Sequence, residues 1–551
     1  MSFQNEVIYQ AYIKSFKDSG ENGYGDIKGV TSKLDYLSEL GITMLWLNPF
    51  YPSPQKDNGY DISDYTGIDP IYGTMDDFEE LVEEGEKYGI GIMLDLVLNH
   101  SSTEHEWFQR ALAGEKKYQD YYILREAPEG KEFPTNWQSK FGGPAWEKFG
   151  ETNKYYLSLF DKTQADLNWR NKEVREELTK VVNFWIDKGV KGFRLDVINL
   201  IGKDEILIDS TGDIAQEKSL YTDRPIVHEY LKELSKNSYG KYPEIITVGE
   251  MSSTSIESCI QYTQQKNEEL TMAFSFHHLK VDYPDGEKWT KAPFDFLELK
   301  KIINDWQLGL SKNGGWNALF WNNHDQPRAV SRFGDDQNYR EKSATSQAHI
   351  LHFLHGTPYV YQGEEIGMTN PYFEELEQYQ DIESHNAYKL MRTQGKSHKE
   401  IMEILQEKSR DNSRTPMQWT SEKHAGFTEG EPWIELAKNY LQINVAKELE
   451  HGEIFSYYQN LIRLRKERKV IQLGTYEPIL LEHEQVWAYQ RNFEEEELIT
   501  ISNFYGEEIV VDLSKDVKTG DWKYVLGNYG ERSFKMKLEL APYESISFIK
   551  K

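Results

Sequence analysis

Eight short apolar runs of strand length punctuate this chain, and most are followed by a stretch with helical spacing. They centre on Tyr9, Trp46, Leu94, Phe193, Thr247, Ala273, Phe320 and Tyr359. Runs that are apolar on both faces belong to strands covered on both sides, and alternation with helices makes neighbouring strands parallel. Eight such units close into a (β/α)8 TIM barrel. An open doubly wound sheet fits less well, because the first run, residues 7–12, lacks the glycine-rich phosphate fingerprint that usually follows.

The unit around Phe193 shows the pattern clearly. Over residues 171–189, Val174, Leu178, Val181 and Trp185 recur on one helical face, and Gly189 stands where a helix stops. In Gly192-Phe-Arg-Leu-Asp-Val197, apolar Phe193, Leu195 and Val197 alternate with Arg194 and Asp196. Thr74 reads as the N-cap of a helix running to Tyr88, and residues 30–40 read as one amphipathic helix. The rhythm breaks between residues 101 and 170, where polar, aromatic, Pro and Gly residues predict an inserted B subdomain after strand 3. Barrel segments are expected over 1–100 and 171–472, with a charged helical insertion at about 373–410. Residues 473–551 change to short alternating runs such as Val486-Trp-Ala-Tyr489, which predict a C-terminal antiparallel β domain.

Charge narrows the partners. The chain carries 63 basic and 91 acidic residues, a net charge of −28. Nucleic acid and anionic membrane both need a basic footprint, so neither is an expected partner. Cys259 is the only cysteine, which rules out an intrachain disulfide and a cysteine zinc site. The first residues show no signal-peptide pattern and no run is long enough to span a bilayer, so a cytoplasmic protein is expected.

In a barrel, the working residues stand at the C-terminal ends of the strands. Those ends carry Asp95 and His100, Arg194 and Asp196, Glu250, Asn323-His324-Asp325, and Glu364-Glu365. Like charges forced together are costly, so carboxylates converging from three strands point to chemistry that uses them. Glycoside hydrolysis does, with one carboxylate as nucleophile and one carboxylic acid as proton donor. A metal cluster is the rival, but no His/Glu pair among these strand-end residues has i, i+4 helical spacing.

Five motifs carry a resemblance over nearly the whole length: Asp95-Leu-Val-Leu-Asn-His100, Gln164-Ala-Asp-Leu-Asn168, Gly192-Phe-Arg-Leu-Asp196, Gly249-Glu250 and Asn323-His-Asp325. In this order the chain resembles glycoside hydrolase family 13, the alpha-amylase family, and within it the oligo-1,6-glucosidase branch, which Val197 matches. The resemblance implies Asp196 as nucleophile, Glu250 as general acid/base and Asp325 as the residue holding the distorted sugar ring. It implies that Arg194 orients Asp196 and keeps it ionised, and that His100 and His324 bind sugar hydroxyls. Tyr60 and Asp61 match the family's ring-stacking tyrosine and sugar-binding aspartate, and Arg414, more than Arg410, matches the arginine closing the pocket.

The stretch 274–289 resembles members of that branch that act on a phosphorylated disaccharide. It also places His277, His278, Lys280 and Lys288 in one loop of a very acidic protein, where a phosphate could pair with them. His278, Lys280 and Lys288 are the expected phosphate ligands. The expected activity is retaining hydrolysis of alpha,alpha-trehalose 6-phosphate; the alternative is hydrolysis of isomaltose-type oligosaccharides. No cofactor is expected. The acidic loop 18–26 keeps Asp18 and Asp26 but has Gly20 and Asn22 where related enzymes carry further oxygen ligands, so no required metal is expected.

Overall fold

The computed structural model of the chain describes residues 3–551. All eight expected strands form: β1 (Ile8–Ala11), β2 (Met44–Leu47), β3 (Gly91–Leu96), β4 (Gly192–Leu195), β5 (Ile246–Met251), β6 (Met272–Ser275), β7 (Ala318–Leu319) and β8 (Thr357–Tyr361). They make one sheet in the order β6-β5-β4-β3-β2-β1-β8-β7. Its two ends are consecutive strands, which is the cyclic order of a nearly closed TIM barrel. The chain divides into two compact units. One takes in the chain up to Leu45, Lys87–Ile90 and His277–Lys551, and the other Trp46–Glu86 and Gly91–Phe276.

In the second of these, β4 lies between β3 and β5, with Asp95 beside Arg194 and Val248 beside Arg194 in register. The preceding helix, Lys172–Asp187, begins where Asn171 accepts the Glu173 amide at 2.9 Å. It buries Val174, Leu178, Val181, Val182 and Trp185, one more position than the spacing predicts. Gly189 takes φ 90°, a left-handed conformation that glycine reaches without cost. After β3 the chain forms a two-stranded ribbon, His100–Ser102 with Gln164–Asp166, and a three-stranded sheet of Leu124–Glu126, Lys154–Leu157 and Trp146–Lys148. Trp137, Trp146 and Leu157 pack in a small core there.

In the first unit, β8 pairs with β1 and β7. The expected helix at 30–40 is two helices, Ile27–Thr31 and Leu34–Leu40. Asp26 caps the first by accepting the Gly29 amide at 2.6 Å. Asp18 accepts from the Gly20 and Gly23 amides and from Thr428 Oγ1, so Asp18 and Asp26 both accept from backbone amides of the 18–29 segment. Among the described residues no group of three or more His, Cys, Asp and Glu is placed to hold a metal ion, and no helix is long and apolar enough to cross a membrane.

Helix Arg340–Phe353 is buried along its whole length from Ser343. The C-terminal domain explains this, because His349 at its centre contacts both Tyr457 Oη and Ser547 Oγ at 2.6 Å. That domain has a five-stranded antiparallel sheet and a separate pair, with strands at Thr475–Ile479, Lys523–Gly527 and Lys537–Leu540 beyond those expected. Thr475–Ile479 contains Pro478, which breaks a strand pattern in sequence but is tolerated at a sheet edge, where this strand lies.

Candidate active site

Arg194 is the hub of a carboxylate cluster in the second unit. It is buried, with Nη1 2.7 Å from Asp95 Oδ1 and 2.5 Å from Asp196 Oδ1, and Nη2 2.5 Å from Glu250 Oε2. Strand register delivers Asp95 and Arg194, and the end of β5 delivers Glu250. The Val197 amide donates to Glu250 Oε2 at 3.2 Å. It does so from a left-handed backbone, φ 37° and ψ 38°. That conformation costs a β-branched residue about 1–3 kcal/mol, and it persists here because Val197 is packed into the core of Trp137, Leu200 and Tyr221.

Three carboxyl groups share one guanidinium, so the cluster has more negative charge than its cation balances. Burial pushes the Asp196 carboxyl well above the usual range; Arg194 opposes this, and Glu250 and Asp95 add to it. Burial likewise pushes Asp95 up to about 6 against the pull of Arg194. Arg194 favours the ionised form of Asp196, as expected, while burial and the two neighbouring carboxyl groups work against it.

Tyr60 donates its hydroxyl to Asp95 Oδ2 at 3.0 Å and accepts from Asn48 Nδ2 at 2.9 Å, with the Arg194 guanidinium 5.7 Å from its ring centre. His100 is buried, flanked by Asn99 at 3.2 Å and Gln164 at 3.3 Å, and burial lowers its ring to about 4, so it is neutral near pH 7.

Asp61 does not stand where a sugar ligand was expected. It is fully buried, and its oxygens accept from Ser53 Oγ at 2.8 Å and from the Lys56 and Asp57 amides at 2.9 and 3.1 Å. It shapes the loop. Asp57 is linked to His100 through Gln164, whose Nε2 donates to Asp57 Oδ2 at 3.1 Å and lies 3.3 Å from His100 Nε2. Sequence reading missed Asp57 because 107 positions separate it from Gln164.

In the first unit a separate charged cluster is built around Asp325. Its amide donates to Asn323 Oδ1 at 2.8 Å, tightening the turn after β7. Arg414 Nη2 lies 2.6 Å from Asp325 Oδ1, Arg410 Nη1 3.5 Å from the same oxygen, and His324 Nε2 3.3 Å from Oδ2. Burial would raise the Asp325 carboxyl, but His324, Arg410 and Arg414 together hold it well below the usual range. Its side chain stays 30% exposed, a charged group with a free face. Gln10 donates to His324 Nδ1 at 2.8 Å, leaving the ring proton on Nε2, toward Asp325. Both Arg414 and Arg410 therefore lie against Asp325. Asp381, not singled out in sequence, lies 2.5 Å from Arg410 and 3.7 Å from Arg414.

The 274–289 stretch divides. His278 is buried, with Nε2 3.0 Å from the Phe320 carbonyl oxygen, and burial lowers its ring to about 3. It is neutral and turned into the fold, so its expected role as a charged phosphate ligand is corrected to a structural one. Lys280 ends the short turn His277–Lys280 on the exposed side. Lys288 is half-buried, its ammonium 4.7 Å from the Trp289 ring centre and 2.7 Å from Glu383 Oε2.

The family model for the alpha-amylase catalytic domain matches residues 10–474. The chain belongs to the alpha-amylase family of glycoside hydrolases. Residues 486–546 match the model of the alpha-amylase SusG C-terminal domain. Among curated family members, the chain is 50% identical to trehalose-6-phosphate hydrolase of Bacillus subtilis, over 99% of this chain and 98% of that one. It is 49% identical to trehalose-6-phosphate hydrolase of Escherichia coli, over 100% and 99%, and 44% identical to oligo-1,6-glucosidase of Bacillus cereus, over 99% of each. The crystal structure of trehalose-6-phosphate hydrolase from Bacillus licheniformis superposes with a TM-score of 0.95 at 51% identity, covering 99% of each chain.

Proposed function

We propose that this glycoside hydrolase cleaves alpha,alpha-trehalose 6-phosphate to glucose and glucose 6-phosphate, with retention. Asp196 attacks C1 of the unphosphorylated glucose while Glu250 protonates the glycosidic oxygen, and glucose 6-phosphate leaves. Water then attacks the glycosyl-enzyme as Glu250 takes its proton, which restores the alpha configuration. The observation that carries this reading is that Asp196 and Glu250 are held on neighbouring nitrogens of one guanidinium. That spacing suits a retaining pair, at about 5–5.5 Å, and leaves no room for the water that separates an inverting pair by about 6.5–9.5 Å.

Asp325, with Arg414 and His324, takes the role of gripping the ring hydroxyls, and Asp57, His100 and Tyr60 are taken as further sugar ligands. Lys280 and Lys288 take the phosphate of the leaving sugar, a local positive patch against a global charge of −28. Full-length identity near 50% to two trehalose-6-phosphate hydrolases supports this substrate over isomaltose. A dianionic sugar phosphate does not cross a bilayer unaided, so the proposed site of action is the cytoplasm.

The test is hydrolysis of trehalose 6-phosphate, trehalose and isomaltose by the purified chain. Turnover on the phosphorylated disaccharide should exceed the other two by about a hundredfold or more, the discrimination a buried or paired charge contact supplies. Equal rates on isomaltose would overturn the substrate assignment. Asp196→Asn and Glu250→Gln should each lower kcat by about a thousandfold or more.

A further inference from the structure

The carboxylate of Glu383 is contested by two cations. Glu383 Oε2 lies 2.7 Å from Lys288 Nζ, and the same oxygen lies 3.3 Å from Arg410 Nε. Glu383 stands in the first turn of helix Ile382–Thr393, where the free backbone amides favour a negative charge. Arg410 in turn holds Asp381 at 2.5 Å and reaches Asp325 at 3.5 Å. Lys288, Glu383, Arg410 and Asp325 thus form a chain of alternating charge that runs from the rim to the sugar-gripping carboxylate. The outer link is open to solvent, with the Lys288 and Glu383 side chains 22% and 21% exposed, whereas Arg410 is 9% exposed.

We propose that Glu383 is an internal stand-in for the substrate's phosphoryl group, seated between Lys288 and Arg410 until a phosphate displaces it. This rests on the phosphorylated-substrate reading above and adds the residue that sets its selectivity. A phosphate monoester brings close to two negative charges and three acceptor oxygens, where the carboxylate brings one charge and two oxygens. It cannot settle on Lys288 with Glu383 still in place, because the like charges repel at that range. A part-exposed ion pair is weakly held, so the dianion displaces Glu383, whereas a singly charged or neutral ligand gains nothing by opening the pair. A neutral disaccharide meets a seat already neutralised and draws no affinity from Lys288. When Glu383 swings away, Arg410 loses one of its counterions and turns its charge more fully on Asp381 and Asp325. Arrival of the phosphate is thereby felt at Asp325.

The test is competitive inhibition of the intact enzyme by inorganic phosphate, glucose 6-phosphate and glucose, for the natural chain, Glu383→Gln and Glu383→Ala. Removing the competing carboxylate should lower the inhibition constants of phosphate and glucose 6-phosphate about five- to tenfold relative to that of glucose, the scale of one part-exposed charge pair. The KM for trehalose 6-phosphate should fall in the same direction, with a smaller change in kcat. Having two variants separates loss of charge from a folding defect, which thermal unfolding of each reports. If phosphate competes equally with all three proteins, Glu383 is not in the seat, and the substrate reading stands without it. If neither phosphate nor glucose 6-phosphate competes with any of them, while isomaltose is cleaved, the phosphorylated-substrate reading falls and takes the proposal with it.

Discussion

Asp95 Oδ1 lies 2.7 Å from Arg194 Nη1, and neither side chain meets solvent. Asp95 is too deep in the barrel to touch a sugar. Its influence is electrostatic, since its charge helps push the Asp196 carboxyl upward. The proposed nucleophile, Asp196, reacts only as the carboxylate, so the acid limb of the kcat/KM profile should sit above the range of an ordinary aspartate. Asp95→Asn removes one negative charge from the cluster and keeps a polar group facing Trp46 and Tyr60. The acid limb should then move to lower pH, even as kcat falls from imperfect placement of Arg194. A profile from pH 4 to 8 measures this, and an unmoved limb would mean that Asp95 does not tune the nucleophile.

Asp57 and Asp61 lie four positions apart and have separate jobs. Asp57 is linked through Gln164 to His100, whereas Asp61 spends its oxygens on its own loop. Asp57→Asn should raise KM for the disaccharide about 10- to 100-fold, the scale of one charged hydrogen bond to a sugar hydroxyl. Asp61→Asn should instead destabilise the fold by roughly 1–3 kcal/mol, because two backbone amides and a serine lose a charged acceptor. Steady-state kinetics and urea unfolding of both variants compare the two roles. The opposite pattern would return the sugar to Asp61.

The barrel was legible because its strands are buried on both faces, and nothing but apolar runs alternating with helices satisfies that burial. The neighbourhood of Asp95, Arg194, Asp196 and Glu250 was legible for the same reason, since topology assigns them to the ends of the adjacent strands β3, β4 and β5. Side-chain partners were not. His278 and Lys288 look alike in a basic loop, yet one is buried against the Phe320 carbonyl and the other pairs with Glu383, 95 positions away. The balance at Asp196 was also hidden, because it depends on how far burial outweighs one arginine. Pro478 concealed an edge strand, since sequence does not say which side of a strand lacks a neighbour.

His349 ties helix Arg340–Phe353 to the C-terminal domain through Tyr457 and Ser547. Burial lowers its ring to about 3, far below the ordinary histidine value of 6.5. The folded state binds that proton less readily than the unfolded chain does. Its contribution to stability is therefore complete above pH 6.5 and is lost progressively as pH falls toward 3. His349→Gln cannot titrate. It should cost about 1–3 kcal/mol at pH 7 through poorer hydrogen bonding, yet lose less stability than the natural chain between pH 6.5 and 4.5. Denaturant unfolding at several pH values measures the two slopes, and parallel slopes would show that His349 is not a source of acid sensitivity.

Lys288 and His278 make the sharpest contrast in the proposed phosphate seat. Lys288 presents its ammonium at the rim, paired with an acid that faces solvent, so a phosphate can reach it. His278 has no charge to offer and no path to the rim. Lys288→Met should raise KM for trehalose 6-phosphate about 10- to 100-fold, with a smaller change in kcat, because the contact is to a part of the substrate remote from the bond that breaks. Rising salt should raise the natural chain's KM for the same substrate, and the Lys288→Met enzyme should show a flatter response, since a screened contact has already been removed. His278→Asn should lower thermal stability and leave the salt response of KM intact. If the salt response instead disappears with His278 and survives the loss of Lys288, the charge that meets the phosphate lies elsewhere on the rim, and Lys280 is the next side chain to replace.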